Sequence, residues 1–184
     1  MRAIPSLLVV RPADGPETAG AWGSRSSAAT RHTLIVLTRQ SLPALEHARP
    51  LAAADVRRGA YLLRESAARG ALTLIATGSE VWLAVETARR LETQGLPARV
   101  VSMPAPQLFE RHPREEIEAL LGPPERRVTI EAGATDYWQR WTQGRGLLIG
   151  IDRYGESAPL AQIQDYFGFT PEKMTQRIQE WAKG

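Results

Sequence analysis

Apolar and polar residues follow two rhythms along this chain. Residues 72–76, LTLIA, form a short apolar run suited to a strand buried on both faces. After Thr77-Gly78-Ser79, apolar residues recur at Val81, Leu83, Ala84, Val85, Ala88 and Leu91. They fall on one side of a 3.6-residue period, which predicts a helix over 80–94 closed by Gly95. Thr77 and Glu80 have the T-x-x-E spacing of a capping box, in which each side chain satisfies a backbone N–H at the helix start. A buried strand running into a capped helix is the first half of a βαβ unit, so the chain reads as α/β.

The same reasoning extends in both directions. Residues 6–11 predict a strand closed by Pro12, and Glu17 to Trp22 a helix with Asp14 as N-cap. Residues 23–33 are small and polar, without periodicity, and predict a mobile loop before a strand at Leu34 to Leu37. Residues 41–58 hold two prolines and several alanines and read as a connection, with Gly59 to Glu65 extended after it. Further strands are expected at 100–104, 127–131 and 147–151, and a helical region over 109–121 broken at Pro113. Tyr137, Trp138 and Trp141 predict a short aromatic helix. Helices follow at 160–167, stopped by Gly168, and at 171–182, with Thr170 as N-cap and Pro171 at the first helical position. Strands separated by helices predict a mostly parallel sheet covered on both faces.

Composition narrows the class. The chain has 184 residues, 43% hydrophobic and 23% charged, which suits a globular protein rather than a disordered one. No apolar stretch approaches the ~18 residues of a membrane span, and the N-terminus lacks the apolar core of a signal peptide. With no cysteine, disulfides, thiolate metal sites and a Cys nucleophile are excluded, which is compatible with a cytoplasmic location. The net charge of +3 invites a nucleic-acid reading. The arginines, however, are scattered in singles and pairs among acids, and the only lysines are Lys173 and Lys183, so no basic face is predicted.

Few residues offer chemistry by their own pattern. The Thr77-Gly78-Ser79-Glu80 turn occupies a place where free N–H groups often hold an anion. It lacks the lysine of a P-loop and the spaced glycines of a dinucleotide fold, so it reads as a turn that caps itself. Arg39 follows a buried strand, where α/β sheets place ligand-contacting groups, and its planar guanidinium matches a phosphate. His32, His47 and His112 lie apart, share no metal-ligand spacing and are assigned no role. Glu131 and Asp136 bring two acids close together, an arrangement able to split acid and base roles but read here as structural. Ser157 is not in a G-x-S-x-G elbow. The aromatics Tyr137, Trp138, Trp141 and Tyr154 read as a core or subunit contact.

The stretch LTLIATGSEVWLAVETARRL, followed by ARVVSMP, IEAG, DYW, GESAP and FGFT, resembles the C-terminal domain of transketolases. Upstream, RAIPSLLVVRPADGPETAGAW and VLTRQSLP resemble the end of the preceding pyrimidine-binding domain of that family. The resemblance implies a three-layer α/β sandwich with one antiparallel strand. It divides the chain into a pyrimidine-domain remnant at 1–48, a linker and domain entry at 49–70, and the C-terminal domain at 71–184. Two strands and one weak helix bury too little to fold alone, which fits an incomplete unit at the start.

In the family, the arginine of the (S/T)-R-Q motif binds the substrate's sugar phosphate, and Arg39 matches it. The resemblance also implies thiamine diphosphate and Mg²⁺ for a complete enzyme of the pentose phosphate pathway. Those groups bind through a GDG…N motif and an activating Glu; this chain has no GDG and begins downstream of that Glu. No catalytic, cofactor-binding or metal-binding residue is therefore expected here. The expected partners are a second copy of the chain, or a chain carrying the missing regions. The alternatives are a non-catalytic dimerisation or regulatory module, and a fragment of another thiamine enzyme such as deoxyxylulose phosphate synthase. The pairing of TRQ with GSEVWLA favours transketolase over the latter.

Overall fold

The computed structural model describes residue 2 and residues 4–24, 32–47, 51, 53–66, 68 and 70–184. Strand β4 (Leu72–Ala76) lies at the centre of a five-stranded sheet, and every one of its residues is buried. Its neighbours are β5 (Ala98–Ser102) and β6 (Arg127–Ile130), both parallel to it. Strand β7 (Leu147–Ile149) extends the sheet beyond β6, and β3 (Tyr61–Arg64) closes the other edge antiparallel to β5. The order is β3-β5-β4-β6-β7, a mostly parallel sheet with the one antiparallel strand that the resemblance implied.

Neighbouring residues of a strand point to opposite faces, so β4 feeds two cores. On one side Leu74 packs with Val100, Val128 and the helices α3 (Glu80–Thr93) and α8 (Pro171–Lys183). On the other, Ile75 packs with Val101, Met103 and residues from α4 (Pro106–Phe109), α5 (Arg114–Leu121) and α6 (Gln139–Thr142). Burying a side chain such as Leu74 or Ile75 contributes about 1.5–3 kcal/mol, which makes this strand the anchor of both layers. Helix α7 (Leu160–Phe167) has no fully buried residue and packs against the first core through Phe167. Thr170 caps α8 by accepting from Lys173 N, as its position before Pro171 predicted.

The opening segment forms a two-stranded parallel sheet, β1 (Leu7–Val10) with β2 (His32–Ile35). Helix α1 (Gly15–Ser24) follows β1, and Asp14 caps it by accepting from Glu17 N at 2.9 Å. Strand β2 begins two residues before the expected Leu34, and Leu37 is exposed. The expected loop at 23–33 lies mostly outside the described residues, at 25–31. The outer edge of β1 is closed by a side chain: Gln107 accepts from Val9 N at 2.9 Å and donates to Leu7 O at 2.9 Å.

Residues read as a connection contain helix α2 (Ala53–Arg58), packed on α1. Gly20 permits that approach, because a Cβ there would lie 2.5 Å from Val56 Cγ2. Sequence spacing in 41–58 held no sign of this helix, since its stabilising partner lies more than thirty residues upstream. After α2 the chain turns through Gly59, whose φ of +90° and closeness to Ala105 and Phe109 exclude a side chain.

Candidate functional site

Arg39 follows β2 at its C-terminal end, in the segment 36–47 that crosses towards the larger sheet. The residue is exposed, and among the described residues no hydrogen bond or ion pair holds its guanidinium. Its neighbours Thr38 and Gln40 line a cleft of about 420 Å³ between this segment and the larger sheet's unit. The cleft wall is mostly apolar, with Trp82, Ile163, Phe167 and Phe169, and Ser79 and Gln164 add polar groups. A free guanidinium carried between two residues of such a lining is available to an anionic group of a ligand.

At the C-terminal ends of β4 and β6 lies a second cluster, built around Arg11. Its Nη1 is 2.6 Å from Glu131 and 3.0 Å from Glu80. Glu131 also accepts from Arg2 at 2.9 Å and from the Trp138 indole N–H at 2.5 Å, while Glu80 accepts from Ala132 N at 3.2 Å. Burial pushes the Glu131 carboxyl up, but Arg2 and Arg11 outweigh it and hold it below the usual carboxylate range. Burial likewise opposes the charge on Arg11, and Glu80 and Glu131 overcome that and raise it. Glu131 is thus held as a structural anion; Asp136 is exposed and stands outside its hydrogen-bond set.

The capping box does not form. Thr77 donates its hydroxyl to Arg11 O at 3.4 Å, Glu80 faces Arg11 and Ala132, and helix α3 starts with no side-chain cap. The backbone of the turn is used as well. Gly78 N donates to Arg11 O at 3.0 Å, and Glu80 N and Val81 N bond within the turn. An arriving diphosphate would meet two carboxylates, a neutralised arginine and N–H groups already bonded. Among the described residues no cluster of three His, Asp or Glu could hold a metal ion. These residues do not fit thiamine diphosphate with Mg²⁺.

A third cluster joins α1 to the sheet. Glu17, fully buried, accepts from Ser102 Oγ at 2.5 Å, Tyr61 Oη at 2.7 Å and Ala13 N at 2.7 Å. Burial pushes its carboxyl up despite those donors. Beside it, His47 Nε2 lies 2.7 Å from Asp14 Oδ2. Sequence reasoning gave neither Glu17 nor His47 a role, because their partners are distant in sequence and belong to no motif. His32 is exposed on β2, and His112 pairs with Glu116 at 3.2 Å. Ser157 is exposed. Trp138 and Trp141 are core residues, whereas Tyr154 is 95% exposed and takes no part in that core.

Comparison with known proteins agrees with this fold. Residues 59–170 match the family model described as the transketolase-like TK C-terminal domain. The transketolase of Streptococcus pyogenes serotype M6 is 42% identical over 96% of this chain and 24% of its own length. That of Aquifex aeolicus is 38% identical over 98% of this chain and 27% of its own. The solved structure of the transketolase from Leishmania mexicana superposes with a TM-score of 0.88 at 34% identity, over 99% of this chain and 26% of that one. The chain spans about a quarter of the length of these relatives. An α/β unit with one antiparallel edge strand, matched across nearly all its length to the C-terminal portion of these proteins, belongs to the transketolase family.

Proposed function

We propose that this chain is the sugar-phosphate-binding C-terminal component of a transketolase, and that ketol transfer requires regions beyond these residues. The observation that carries the reading is Arg39, an exposed, unpaired arginine in the segment that follows β2, between the cleft-lining Thr38 and Gln40 and in the family's TRQ motif. The two-carbon transfer is chemistry that thiamine diphosphate supplies when bound. Since the residues here do not fit that cofactor with Mg²⁺, the complete assembly would bind it elsewhere. Such an assembly would be a dimer, or a complex with a chain bearing the missing regions, acting on phosphorylated sugars in the cytoplasm.

The test compares phosphorylated and non-phosphorylated ketose donors in an enzyme completed with the remaining transketolase regions. Arg39→Ala removes a charge-assisted contact of about 1.5–3 kcal/mol, a roughly ten- to hundredfold loss in affinity for the phosphorylated donor alone. Arg39→Lys recovers part of it as a point charge without the bidentate fork. An equal loss for both donors would sink the phosphate role. The chain by itself, given thiamine diphosphate and Mg²⁺, should show no turnover above background.

A second reading, a non-catalytic dimerisation or regulatory module, is favoured by the strand-end cluster, where Arg11 and the turn amides are consumed internally. Native mass spectrometry separates the two. A complex with a chain carrying the missing regions supports the first reading, and self-association that excludes such a chain supports the second.

A further inference from the structure

The segment that carries Arg39 is a strap held at its two ends. Near its start, Val36 N donates to Val10 O at 2.9 Å, continuing the pairing of β2 with β1. At its far end the His47 imidazole donates from Nε2 to Asp14 Oδ2 at 2.7 Å, and the two side chains are only 11% and 4% exposed. The imidazole also stacks on Tyr61, with ring centroids 6.2 Å apart and planes at 27°. Leu45, two residues earlier, packs against the main core.

Between these ends the strap has little beneath it. Two cavities, of about 370 and 420 Å³, lie against it, and Thr38, Leu42 and Pro43 line both. Within the span Gln40 N donates to Thr38 Oγ1 at 3.1 Å, and the one further polar tie among the described residues is a solvent-exposed pair in which Glu46 accepts from Arg89 at 3.2 Å, worth little beside the buried clasp. The base of the clasp, by contrast, is rigid. Asp14 accepts from Glu17 N with its other oxygen, and Glu17 is tied to Tyr61 and Ser102 of the sheet.

We infer that His47 is a positioning residue for Arg39, clasping the strap to Asp14 so that the guanidinium is held where a substrate phosphate meets it. This rests on the reading of Arg39 as the phosphate-binding residue. A strap released at His47 would visit many arrangements, and apparent affinity falls in proportion to the fraction of chains in the competent one. The loss would appear in KM rather than kcat, because the phosphate contact is the same in ground and transition states.

Limited trypsinolysis of the full chain tests the clasp itself, because cutting at Arg39–Gln40 needs the strap to leave its seat and enter the protease. His47→Ala, and His47→Phe, which keeps a ring against Tyr61 but has no donor, should speed that cut roughly ten- to hundredfold. Global stability in urea should change far less, and His47→Gln, which keeps an N–H donor, should retain most of the protection. In the completed enzyme, His47→Ala should raise KM for a phosphorylated donor and leave kcat and the non-phosphorylated donor unaffected. An unchanged rate of cutting at Arg39 in both His47→Ala and His47→Phe overturns the inference. It is also overturned if Arg39→Ala raises that KM and His47→Ala does not, although the phosphate role of Arg39 then stands. If neither variant moves KM, the reading of Arg39 falls and the positioning role with it.

Discussion

Arg11 and Glu131 stand 2.6 Å apart although 120 residues separate them, joining the opening segment to the end of a central strand. Both side chains are largely buried, so removing one partner strands charge in a poorly hydrated place. Arg11→Met should cost on the order of 3 kcal/mol, the lower end for a buried pair, because Arg2 still reaches Glu131. A lowered urea midpoint with an unchanged slope is the expected measurement. A change below half a kilocalorie would mean that the node contributes no net stability.

The two buried acids should give opposite pH responses. Glu131 titrates below its ordinary 4.5 in the folded chain, so its stabilisation is present above that value and lost as pH falls through the folded one. Glu17 titrates above 4.5, so its contribution is full below 4.5 and declines as pH rises towards the folded value. Glu17→Gln cannot ionise and turns an amide group towards a donor, Ala13 N. It should therefore be less stable than wild type near pH 4, by about 1–3 kcal/mol, with the gap narrowing as pH rises. Denaturant titrations across that range read this directly, and a gap that widens would contradict the raised carboxyl.

Gly59 and Gly95 provide a matched pair. Both have positive φ, but a Cβ at Gly59 would lie 2.4 Å from Ala105 O and 2.5 Å from Phe109 N, while Gly95 has nothing within 4 Å. Gly95→Ala should cost only the left-handed backbone, about 1–2 kcal/mol. Gly59→Ala adds a collision with backbone that cannot swing aside, and its Tm should fall by clearly more than the roughly 2–4 °C expected per kilocalorie for the strain alone. Equal melting temperatures would show that the turn at Gly59 relaxes.

Trypsin cleavage after Arg25 or Arg31 should leave the two pieces together. Arg2, Arg11 and Glu17 bind partners contributed by residues 61–131. The nicked chain should elute as one species under native conditions and separate only in denaturant. Dissociation at moderate salt would mean that the opening segment is held by weaker contacts than these.

Much of the sheet was legible because β4, buried on both faces, reads as an apolar run, whereas β6 alternates Val128 and Ile130 with Arg127 and Thr129. Strand β2 was displaced in the reading because apolarity does not specify backbone pairing: Leu37 continues the run but sits in solvent at 55% exposure. The T-x-x-E spacing at Thr77 misled because it weighs only local partners, and Arg11, 69 residues before Glu80, offers the carboxylate a full charge. Helix α2 and the His47–Asp14 clasp escaped notice for the same reason, since each depends on a surface that the fold alone creates. Arg39 stands out in sequence by its place after a strand and its motif, whereas the ties at the ends of its segment, Val36 to Val10 and His47 to Asp14, join residues too far apart for spacing to reveal.

Gln107 gives the small sheet a direction. Its side-chain amide takes the place of a neighbouring strand along β1, filling both a donor and an acceptor on that edge. An incoming strand would have to evict that amide, which also donates to Arg2 O at 3.1 Å. Among the described residues no strand pairs on the far side of β2. The two-stranded sheet can therefore grow only by addition at β2, which fixes the side on which any further strands must lie. Within this small sheet, it also confines unwanted edge-to-edge association of separate copies to that one flank.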